Sequence, residues 1–181
     1  GANINDPEFH ELLVRWFEDG CFCPVMRLHG YRWPLQPQYG TTGGATCVSG
    51  APNEVWSYTD QVCEILSDYL RLRERMLPYI TELMEEAHEK GTPVMRPLFY
   101  DFPEDKESWN VETEYMFGPK VLVKPITDAD ARETDVYLPG GASWTNAWTG
   151  ETFEGGQKVH VAAPIEQIPL FTRDGYKLPM K

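Results

Sequence analysis

The stretch "EKGTPVMRPLFYDFP", Glu89 to Pro103, divides the chain in two. Before it, apolar residues recur every three to four positions. After Gly91 that period stops, and Pro93, Pro97 and Pro103 bracket short runs of β-formers. Gly91 ends a helix, and Lys90 places a cation where the helix dipole is negative.

Upstream, the spacing predicts a long helical stretch from about Thr59 to Lys90. Val62, Ile65, Leu66, Tyr69 and Leu70 begin its apolar stripe, and Met76, Leu77, Ile80, Leu83, Met84 and Ala87 continue it. Pro78 interrupts it: proline has no N–H and its ring crowds the carbonyl of Glu74, so a kink or break belongs there. A first helix starts at Asp6, a capping residue, followed by Pro7 and Glu8. Phe9, Leu12, Leu13, Trp16 and Phe17 form its wide apolar face, and Gly20 can end it.

Downstream, "EYMFGPKVLVKPI", "ETDVYLPGG", "SWTNAWTGETFEGGQKVHVAAP" and "IPLFTRDGYKLPM" read as short strands punctuated by Gly and Pro. Such spacing indicates an antiparallel sandwich or barrel. The helical region extends to about residue 92 and the β region from 93 to 181. The helices' apolar faces need a partner sheet, since each large side chain left unburied forgoes roughly 1.5–3 kcal/mol. They cover either the small sandwich or a sheet upstream of Gly1; the second is preferred. Exposed helix faces would also allow self-association.

Acidic residues outnumber basic ones 28 to 16, a net charge of −12. That argues against nucleic acid or an anionic membrane as a partner, both of which need a basic patch. No apolar run approaches the roughly 20 residues that span a bilayer. The chain starts "GANINDPEF" without Met, so the numbering is expected to begin inside a longer protein.

Between the first two helices lies "CFCPVMRLHGYR", Cys21 to Arg32, followed by a Gly- and Pro-rich loop over 31–57. Cys21 and Cys23 are too close to pair easily with each other. With only His29 nearby and no second paired motif, they do not match a zinc-site spacing. No metal or cofactor is expected. Sparse unpaired cysteines, Cys47 and Cys63 included, fit a reducing compartment.

Six stretches then occur in order: "ELLVRWFEDGCFCPVMRLHG", "YLRLRERMLPYI", "GTPVMRPLFYDFPED", "YMFGPKVLVKPI", "VYLPGGASWTNAWTGETFEGG" and "APIEQIPLFTRDG". Together they resemble the C-terminal part of a family 31 glycoside hydrolase, the family of α-glucosidases and α-xylosidases. The resemblance spans the chain except the loop 31–57. It implies an α+β architecture: closing helices of a (β/α)8 barrel over 1–92, then a proximal C-terminal antiparallel β-sandwich over 93–181, the family's distal domain not being represented. "RLHG" followed by a long insertion is similar to bacterial xylosidase-like branches.

The resemblance also implies a retaining mechanism with two carboxylates roughly 5–5.5 Å apart. Neither the nucleophile motif nor the acid/base segment occurs here, so no residue is assigned either role. The chain alone is expected to be inactive. The Arg-x-His of the family falls on Arg27 and His29, the substrate-binding candidates. His29 is expected to contact sugar hydroxyls at the barrel's C-terminal face. Arg27 is expected chiefly to pair a carboxylate that orients the site. Cys21 and Cys23 then read as small core residues in a pocket wall.

The alternative reading is a non-catalytic carbohydrate-binding or structural sandwich module. Trp144 and Trp148 would then form a stacking platform, though sandwich core is the preferred assignment for both. Asp101 reads as a turn residue, and Arg96 and Arg173 as ties between strands and barrel. Trp33 and Tyr39 either line the pocket entry or lie on mobile surface.

Overall fold

The computed structural model describes residues 3–29, 32–35 and 50–180. Most of the long loop, with Tyr39 and Cys47, lies outside the described residues.

Helix α1 runs Pro7–Gly20. The Asp6 carboxylate accepts from the Glu8 amide at 3.0 Å, capping the helix as its sequence requires. Gly20 is helical rather than left-handed, and Cys21 closes the last turn instead. The expected break before Pro78 is present: α2 (Asp60–Arg75) and α3 (Leu77–Lys90) meet at Met76. Pro78 sits in the first turn of α3, where a missing N–H leaves no bond unmade. Gly91 ends α3 at φ 70°, the left-handed cap.

Eight strands follow: β1 (Met95–Pro97), β2 (Tyr115–Phe117), β3 (Val121–Val123), β4 (Glu133–Leu138), β5 (Ser143–Asn146), β6 (Thr152–Glu154), β7 (Gln157–Ala162) and β8 (Leu170–Arg173). A short helix α4 (Leu98–Asp101) follows β1. The strands form an antiparallel sheet ordered β1-β2-β3-β8-β5-β6 and a second sheet of β4 with β7.

Register assigns the faces. Met116 pairs Leu122, which pairs Phe171. This row, with Trp144, Val136, Leu138 and Val161, is the core between the two sheets. The neighbouring row, Phe117, Val121, Val123 and Leu170, points the other way. It shares a core with Leu13, Val14 and Phe17 of α1, Leu66, Tyr69 and Leu72 of α2, and Tyr79, Ile80 and Leu83 of α3.

The molecule is therefore three layers: helices, six-stranded sheet, two-stranded sheet. This corrects the preference for a sheet outside the chain as the helices' partner. The central strands are buried on both faces, so the sandwich offers an outer apolar face that α2, α3 and one side of α1 cover. The far side of α1 stays open, with Leu12 52% and Trp16 70% exposed. Leu70, Leu77 and Met84, placed in the stripe of the long helix, are also exposed.

Candidate functional site

After α1 the chain turns through Phe22, whose ring meets Phe117 edge-on at 6.0 Å. Residues 24–29 then run on with no helix, and no backbone hydrogen bond joins them to a described strand. Their burial nonetheless alternates with period 2. Met26 and Leu28 pack against the helical core, whereas Val25, Arg27 and His29 are exposed. That is the burial pattern of an extended segment with one face on the core, and among the described residues no strand pairs with it. A closed barrel would supply neighbours for both edges.

Arg27 and His29 lie two residues apart on the outward face. The Arg27 Nη2 is 3.0 Å from the His29 Nδ1. A guanidinium only donates, so Nδ1 is the acceptor and the ring proton sits on Nε2. The exposed edge of the imidazole is therefore an N–H donor. Among the described residues Arg27 makes this contact and pairs with no carboxylate. His29 is not a buried histidine held by backbone. α1 and this segment enclose a cleft of about 390 Å³, walled by Leu12, Trp16, Val25, Arg27 and His29.

Cys21 and Cys23 belong to the wall behind this face. The Cys21 Sγ lies 3.5 Å from the Tyr69 carbonyl, and the Cys23 Sγ lies 3.6 Å from that of Asp19. Burial pushes the Cys21 thiol up to about 12, leaving no thiolate at neutral pH.

The other residues named from sequence fall elsewhere. Trp144 is wholly buried and donates its indole N–H to the Pro139 carbonyl at 2.9 Å. Trp148 donates to the Ile168 carbonyl at 2.7 Å. Trp144 is sandwich core, whereas Trp148 is half-buried against the core shared with the helices. Asp101 closes α4 and pairs with buried Arg96 at 3.1 Å. Arg96 also approaches Glu86 of α3 at 3.8 Å, tying strand to helix. Arg173 instead lies over the Phe102 ring at 4.6 Å, inside the sandwich. Trp33 is half exposed near the start of the loop.

Two residues that hold the site segment were missed from sequence: Arg73 of α2 and Tyr115 of β2. One signal existed for Arg73. Its helical neighbours Tyr69, Leu70, Met76 and Leu77 are all apolar, so no carboxylate at i±3 or i±4 explains it, whereas Arg71 has Asp68 at 2.7 Å. Tyr115 carried none.

Residues 1–83 match the family domain described as "Glycosyl hydrolases family 31 TIM-barrel domain". Residues 91–178 match "Glycosyl hydrolase family 31 C-terminal domain". The chain belongs to glycosyl hydrolase family 31, and its architecture is the end of that barrel followed by the β-sandwich. The crystal structure of a GH31 alpha-xylosidase from a soil metagenome, complexed with xylose, is 48% identical with a TM-score of 0.92, covering 98% of this chain and 27% of that one. The alpha-xylosidase of Saccharolobus solfataricus is 36% identical over 179 residues, 99% of this chain and 22% of the relative. Alpha-glucosidase 2 of Bacillus thermoamyloliquefaciens is 36% identical over 166 residues, 91% of this chain and 19% of the relative. The chain thus spans about a fifth of the curated relatives it matches.

Proposed function

We propose that the chain is the C-terminal part of a retaining α-glycosidase that removes terminal α-linked xylose or glucose from oligosaccharides. Residues 1–92 would complete the catalytic barrel and 93–181 form the proximal sandwich. The nucleophile and the acid/base carboxyl group would come from barrel segments outside this chain, so the chain alone would be inactive. The observation that carries the reading is the outward Arg27–His29 pair on an extended segment that pairs with no strand among the described residues. With Nδ1 occupied by Arg27, the His29 Nε2–H donates to a sugar hydroxyl. Such bonds strengthen as charge develops at the anomeric centre. Arg27 fixes the ring's tautomer and orientation.

The test is hydrolysis of aryl α-xyloside and aryl α-glucoside by the full-length protein, with this chain assayed beside it. The 48% identity to an α-xylosidase makes the xyloside the first substrate to try. The full-length protein should cleave at least one with retention of the anomeric configuration, and the chain neither. Turnover by the isolated chain would overturn the placement of the carboxylates.

A further inference from the structure

The segment that presents Arg27 and His29 has no sheet ladder among the described residues, yet its first residues are held from two sides. Arg73, on the last turn of α2, donates from Nη1 to the carbonyls of Cys21 at 2.7 Å and Cys23 at 2.9 Å. Its Nη2 donates to the carbonyl of Pro24 at 3.2 Å. One planar, rigid fork thereby fixes three carbonyls within four residues, which a lysine ammonium cannot do with the same geometry. From the sandwich, the Tyr115 hydroxyl donates to Asp19 Oδ1 at 2.7 Å, at the end of α1, and lies 3.4 Å from the Phe22 carbonyl. These carbonyls belong to a helix end and the turn after it, where backbone acceptors lack intrahelical partners.

We propose that Arg73 and Tyr115 are positioning residues for the sugar-binding face. They transmit the placement of α2 and of the sandwich to the extended segment whose outward side carries Arg27 and His29, three and five residues beyond Pro24. This rests on the reading of His29 as a sugar ligand. It gives the C-terminal sandwich a part in the reaction: its β2 strand sets where the ligand-bearing segment leaves α1. Displacing a binding group by about 1 Å can cost on the order of 10²-fold in rate. The braced Pro24 lies roughly 10 Å of extended chain from Arg27 and roughly 16 Å from His29, with no ladder among the described residues to correct a misplaced start.

The experiment uses the full-length protein with Arg73→Met, Arg73→Lys, Tyr115→Phe and His29→Ala, and the Arg73→Met/His29→Ala double variant. Arg73→Met should lower kcat/KM by about 10²-fold, and Arg73→Lys should recover part of it. In the His29→Ala background the same change should cost less than about 3-fold, because the group being positioned is gone. Losses that multiply across the two sites would overturn the proposal, since a purely structural role is blind to His29.

Hydrogen exchange of the peptide covering 21–29 gives a second readout independent of turnover. It should quicken in Arg73→Met and Tyr115→Phe while peptides of β3 and β8 keep their rates. Unchanged exchange at 21–29 would overturn the brace. Absence of glycosidase activity in the unsubstituted protein, with exchange behaving as stated, would sink the reading of the site instead.

Discussion

The guanidinium of Arg15 donates to the carbonyl of Ala163 at 2.7 Å across 148 residues of sequence. The same group donates to the carbonyls of Ala131, Pro164 and Gln167, and meets Glu18 at 3.1 Å. Arg15 is nearly fully buried, so these acceptors have no water to turn to. One residue of α1 thereby locks the barrel's helix to two loops of the sandwich.

Arg15→Met should therefore be severely destabilising. It removes the donor from four carbonyls and from the Glu18 carboxyl group. Each buried acceptor left without a donor costs about 1–3 kcal/mol. Arg15→Lys should recover only part of the loss, since three donors cannot reach four carbonyls and a carboxylate. Urea unfolding followed by tryptophan fluorescence measures it; a loss under 1 kcal/mol would show the latch to be dispensable.

Glu18 makes the same junction sensitive to pH. Burial pushes its carboxyl group up to about 8, only partly offset by Arg15, whose hydrogen bonds are shared among four carbonyls. The folded state thus holds this proton more tightly than the unfolded chain, where the ordinary value is 4.5. The stabilisation is fully present below pH 4.5 and is lost as pH rises through about 8. The slope in that window is about 1.4 kcal/mol per pH unit. Glu114, raised to about 7 by burial, adds a slope of the same sign over its own narrower window. Glu18→Gln should flatten the wild-type curve and be the more stable protein at pH 8.5. Equal pH dependence in the two would mean that Glu18 stays ionised in the fold.

Gly118 sits where α3 packs tightly against the sheet. It turns β2 into β3 at φ 60°, and a Cβ there would lie 2.4 Å from the Tyr79 hydroxyl and 2.5 Å from a Leu83 methyl. Tyr79 is not free to move, because its hydroxyl donates to the Phe117 carbonyl at 2.9 Å. Left-handed backbone costs a non-glycine residue about 1–2 kcal/mol, and overpacking adds about 1–3. Gly118→Ala should then lower stability by about 2–5 kcal/mol. A shift in apparent Tm of less than 2 °C would contradict this packing.

Local signals were legible and non-local ones were not. Asp6 with Pro7, Pro78 and Gly91 each act within one helical turn, and each begins, breaks or ends a helix where the sequence placed it. The partner of the helices was misread because Val121–Val123 carries no alternation. A three-residue strand buried on both faces does not show that one face belongs to a sheet and the other to helices. Strand order was equally hidden: β8 sits between β3 and β5, and nothing in "PLFTRDG" names either neighbour. At the site, Arg27 and His29 were found through resemblance. The alternation that turns them outward is readable in Val25, Arg27 and His29 against Met26 and Leu28, once Pro24 is taken as its start. Arg73 was legible only as an arginine without a helical partner. Its three acceptors lie about 50 residues away in sequence.

The open side of α1 predicts the behaviour of the isolated chain. Leu12, Trp16 and Val25 are exposed around one cleft, at 52%, 70% and 76%. Contiguous apolar surface of this kind drives association when its covering element is missing. In a complete barrel that surface would be covered; in the chain by itself a second copy can take its place. The isolated chain should therefore elute from size-exclusion chromatography larger than a 20.7 kDa monomer at high micromolar concentration, and shift toward monomer on dilution. Leu12→Glu and Trp16→Glu together should give a monomer at all concentrations, since the chain's net charge of −12 becomes more repulsive and the patch is broken. The same pair in the full-length protein should cost stability, because there the patch would be buried. A wild-type chain that runs as a monomer throughout would show that the cleft beside Arg27 and His29 is well enough hydrated to stand uncovered.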